Sequence, residues 1–163
     1  MISDRDIKAL SKIHPRNSRP ACMTINDLAI VHSPFFVLEL PKQQIKVTEW
    51  PAEPYPAIID WRIRQIPTGE KGQRAQLMRE TWEEDDDLPV VRLQADGSAL
   101  YIQGVLYDFF DDQLPSPEFR LYPGEREDGT PYMVGVYSEE KLVGAVAPVQ
   151  RDTPDESEPE SDE

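Results

Sequence analysis

A chain of 163 residues is long enough for one hydrophobic core and too short for two substantial ones. Its 31 acids against 17 Lys and Arg give a formal charge of −14, and a field of that sign opposes a general surface for nucleic acid or anionic membrane, leaving only local basic patches for such partners.

Half of the acidic excess sits in one place. Residues 152–163 hold seven acids and no base, so setting them aside takes the charge from −14 to −7 over residues 1–151. The rest of that tail is Thr, Ser and Pro, which offer nothing apolar to offset the entropy of ordering a backbone. It therefore reads as a disordered, solubilising end on a single domain at 1–151. Cys22 is the only cysteine, which rules out an intramolecular disulfide. The opening MISDRDIKAL has acids where a secretory signal needs bases and an apolar run, and no stretch approaches the ~18 apolar residues of a membrane span. A cytoplasmic protein with no membrane partner is expected.

In chain order, Ser3 precedes Ile7, Leu10 and Ile13 at helical spacing, Asp6 completes a capping-box-like start, and Pro15 stops the pattern. Extended segments follow at 21–31, 34–40 and 44–50, the last two rich in Phe, Val, Ile and Leu. Residues 51–87 break the rhythm with Pro51, Pro54, Pro56 and Pro67 and read as an insertion. Within it a strand is expected at 57–66 and a short helix at 73–84, with Leu77, Met78 and Trp82 as its apolar side. A strand at 88–93, a turn through Asp96-Gly97 and an extended 99–102 come next. Val105, Leu106, Phe109, Phe110 and Leu114 then make the wide apolar stripe of a second helix, ended by Pro115 and Pro117. Strands at 118–122, 131–137 and 142–149 close the chain, the last two as a hairpin about Ser138-Glu139-Glu140-Lys141. The fold class is α+β: two helices on a mainly antiparallel sheet, with the same element order at both ends of the chain.

The opening IKALSKIHPRNSRPACMTI, an amphipathic helix followed by Arg19-Pro20 and a strand, resembles the start of a bacterial DNA sliding-clamp domain. The closing PYMVGVYSEEKLVGAVAPV resembles the final clamp hairpin, whose last strand ends in a small apolar run and Pro, here Val146-Ala147-Pro148-Val149. These two blocks cover about a third of the chain. The resemblance implies a duplicated β-α-β-β-β domain with the proline-rich insertion at 51–87. It also implies a non-enzymatic accessory role in DNA replication or a related DNA transaction, with a phage among the sources of such a protein. Clamp subunits that form rings carry two or three such domains; this chain has room for one, so encircling DNA requires assembly with copies of itself. His32-Ser33-Pro34 also stands where bacterial clamps have an Asp-Gly strand end.

Two groups of residues are the candidate contacts. Arg5, Lys8, Lys12, Arg16 and Arg19, with His14 among them, reverse the local sign of an acidic chain. Arg5, Lys8 and Lys12 fall on one helical face, suited to phosphates but not to reading bases. An ordinary solvated helix face is the competing reading. The second helix departs from the clamp pattern, since its polar positions Asp108, Asp111 and Asp112 are acidic. In the insertion, Trp61, Arg62, Arg64, Arg74 and Trp82 have the composition of a stacking surface or a protein hot spot, against tryptophans that simply pin the insertion to the core.

Glu83-Glu84-Asp85-Asp86-Asp87 lacks the spaced ligands and glycine turn of a calcium loop and reads as a solvated run, so no metal is assigned. Neither GxxxxGK[ST] nor GxGxxG occurs, and no nucleophile and base can be paired from spacing, so neither cofactor nor catalytic residue is assigned. The alternative to a DNA accessory protein is an acidic protein-binding module or inhibitor that engages a basic partner, by imitating nucleic acid or by charge alone.

Overall fold

The computed structural model describes residues 2–8, 10, 20–46, 66–67, 72–83, 89–95, 97–125, 129 and 131–149. Its first elements are a short strand β1 (Ile2–Ser3) and helix α1 (Asp4–Lys8). The Asp6 carboxylate accepts from the Ser3 backbone N–H at 2.9 Å and from the Ser3 hydroxyl at 3.0 Å, so the Asp6 half of the expected capping box forms, while the hydroxyl donates to the carboxylate. Ile7 packs against the core and Leu10 lies inside it; Ile13 and Pro15 lie outside the described residues.

The segment expected as one extended run at 21–31 is two strands, β2 (Ala21–Ile25) and β3 (Leu28–Ser33). They are joined by a tight turn at Asn26-Asp27 in which Asn26 takes φ 56°. Asn tolerates that left-handed conformation better than most side chains, a turn signal hidden among apolar neighbours. β4 (Phe36–Pro41) returns beside β3, and a 3-10 turn at Lys42–Gln44 leads to β5 (Ile45–Lys46), which pairs parallel with β1.

Residues 73–83 correct a second expectation, since they are extended where a helix over 73–84 is expected. β6 (Gln73–Arg74) and β7 (Gln76–Glu83) occupy this stretch. Leu77, Met78 and Trp82 sit at helical spacing, but Ala75 and Leu77 also alternate with polar neighbours, and both pack against the core. Strand pairing decides the conflict: Leu77 lies opposite Leu93 of the next strand, β8 (Pro89–Ala95), and a bulge between Met78 and Thr81 re-registers the rest. The strand expected at 57–66 lies outside the described residues except for Ile66, which is buried.

β8 turns through Gly97, at φ +70°, into β9 (Ser98–Gln103). Helix α2 (Gly104–Gln113) follows where the apolar stripe placed it, burying Leu106, Phe109 and Phe110. The closing strands are β10 (Pro117–Leu121), β11 (Val134–Ser138) and β12 (Lys141–Val146), with the expected hairpin at Glu139-Glu140.

The strands form a seven-stranded antiparallel sheet in the order β2-β3-β4-β12-β11-β10-β6, a three-stranded sheet β7-β8-β9, and the β1-β5 pair. The fold is thus mixed α+β, mostly antiparallel, with two helices among the described residues. Alternation sorts the large sheet into two faces. Val31, Phe36, Leu38, Phe119, Val134, Val136 and Val146 pack on the side of α1 and α2. Ile30, Val37 and Ala145 point the other way and join Ile66, Tyr122 and Met133. Phe110 centres the helix side, meeting Phe36 of β4 edge-on at 6.1 Å and Phe119 of β10 at 6.5 Å, so one ring ties the two ends of the chain together.

Candidate functional site

Arg5 and Lys8 are exposed on α1, as their spacing requires. Lys12, His14, Arg16 and Arg19 lie outside the described residues. The two helices meet where the Gln113 side-chain amide donates to the Asp6 carboxylate at 3.4 Å. On α2 the exposed positions are Asp108, Asp111 and Asp112. The Asp108 carboxyl is held above its ordinary range, first by burial and then by the charges of Asp112 and Asp111. The helix layer therefore carries anions on α2, while α1 sets the acids Asp4 and Asp6 beside the bases Arg5 and Lys8. Beside it an open cleft of about 300 Å³ has Ile2, Leu40 and Leu114 in its walls and glutamines, Gln43, Gln44 and Gln113, among its polar groups.

Of the insertion cluster, Trp61, Arg62 and Arg64 lie outside the described residues. Trp82 is described by its backbone, in β7 opposite Val90. Arg74 is described in full and stands on the far face of the large sheet, in company that spacing alone did not reveal. It lies directly across from Arg120, and both guanidinium groups address Glu118. Arg120 makes the close contact to Oε2 of Glu118, while Arg74 stands 3.8 Å from Oε1. Arg120 also lies over the Tyr137 ring, 4.6 Å from its centroid. The Tyr137 hydroxyl shares a buried hydrogen bond of 3.1 Å with that of Tyr122. Burial, then that bond, raises the Tyr122 phenol above its ordinary value, so the Tyr122 ring stays neutral at physiological pH.

The sequence did hold a trace of this network: Glu118, Arg120 and Tyr122 alternate along one predicted strand and must share a face. What spacing could not supply is the crossing of β6, which brings Arg74, and of β11, which brings Tyr137. Next to Arg74 an open cleft of about 440 Å³ is lined by Gln73, Arg74, Gln76, Gln94, Ala95 and Gly97.

Among the described residues no group of three or more His, Cys, Asp or Glu is arranged to hold a metal ion, and no helix is long and apolar enough to cross a membrane. Buried His32 has its imidazole pushed below the ordinary value by desolvation, which favours a neutral ring in the sheet. Comparison with protein-family models, with curated proteins and with solved structures finds no match.

Proposed function

We propose that the chain is a non-enzymatic accessory protein of a DNA transaction, built as one duplicated β-α-β-β-β domain of the sliding-clamp kind. The observation that carries this reading is the element and strand order. The first half runs β1, α1 and the meander β2-β3-β4, then returns to β1 through β5. The second half runs β9, α2 and the meander β10-β11-β12, then returns to β9 where Val149 bridges Tyr101. The two meanders meet third strand to third strand, with Val37 of β4 opposite Ala145 of β12. The returns differ, parallel in the first half and antiparallel in the second. The two helices lie on the same side of the sheet and touch through Asp6 and Gln113, which is the layer a clamp domain turns toward a duplex.

On this reading Arg5, Lys8 and Lys12 contact phosphates. Fluorescence anisotropy with a labelled duplex in low salt is expected to show micromolar binding. Lys8→Glu with Lys12→Glu should weaken it about tenfold or more and flatten its salt slope by about two. No binding at micromolar protein in low salt contradicts the nucleic-acid part.

A second reading, an acidic module that engages a basic protein, is supported by the α2 surface. Asp108, Asp111 and Asp112 crowd one exposed helix face with charges that oppose one another, and a cationic partner would relieve that opposition.

A further inference from the structure

We draw no further inference here: the strongest candidate, the open cleft of about 300 Å³ between Ile2 of β1, Gln43 and Gln44 of the 3-10 turn and the end of α2 at Gln113 and Leu114, is walled by apolar and amide groups, and nothing in the structure shows what covers it.

Discussion

His32 sits near the end of β3 at 2 % exposure, between Ala21 of β2 and Val37 of β4. Its imidazole is held below the ordinary value by burial, so the unfolded chain takes up the proton first. The stability that neutral His32 supports is whole above about pH 6.5 and is lost as pH falls through the lower folded-state value. Urea midpoints are therefore expected to decline below pH 6.5 more steeply in the natural chain than in His32→Gln, and parallel profiles would contradict this. Strain of another kind sits at the β11-β12 turn, where Glu139 and Glu140 take φ 51° and 69°. Both central positions of this two-residue loop are left-handed, a geometry that Asn-Gly adopts with little cost and Glu does not. Replacing the pair by Asn-Gly is expected to stabilise the chain by about 1 kcal/mol in urea unfolding. At this scale the sequence was informative for chemistry that a strand alternation displays and silent for chemistry made by crossing strands. Glu118, Arg120 and Tyr122 could be placed on one face, whereas Arg74 and Tyr137 join them only through β6 and β11.

Among elements, the seam between β4 and β12 matters most to the proposed role, because among the described residues it is where the two meanders exchange backbone hydrogen bonds. Gly144 faces Leu38 there, and any Cβ at Gly144 would run into the Val37 carbonyl oxygen, which is backbone and cannot swing aside. Gly144→Ala is thus expected to destabilise by about 2–3 kcal/mol, read from denaturant unfolding. An unchanged midpoint would mean that the seam is looser than described. Helix α2 was legible because five apolar residues at helical offsets, closed by prolines, allow little else; the β11-β12 hairpin was legible from a polar break between two apolar runs, and the Gly97 turn from its Asp-Gly pair. The misread elements share a cause. Residues 73–84 offered both helical and alternating patterns, and pairing with β8, the next strand in the chain, and of β6 with the distant β10 selected the extended form over 73–83; β2 and β3 were fused because a single left-handed Asn26 makes their turn without glycine or proline.

For the whole molecule, the charge distribution and the layer order point in different directions, and the proposed role depends on how they are reconciled. A helix layer with mixed charge on α1 and acids on α2 does not present a uniform surface to a duplex, so charge alone is poorly suited to hold DNA there. On the proposed reading, one clamp-like domain in the chain would hold DNA by enclosure, which needs several copies in a ring with closed symmetry. Size-exclusion chromatography coupled to light scattering is the most direct test of that role. A single closed assembly of several chains, constant in mass over a range of micromolar concentrations, is the expected result. A chain that remains a monomer at those concentrations, with or without duplex DNA, would contradict it.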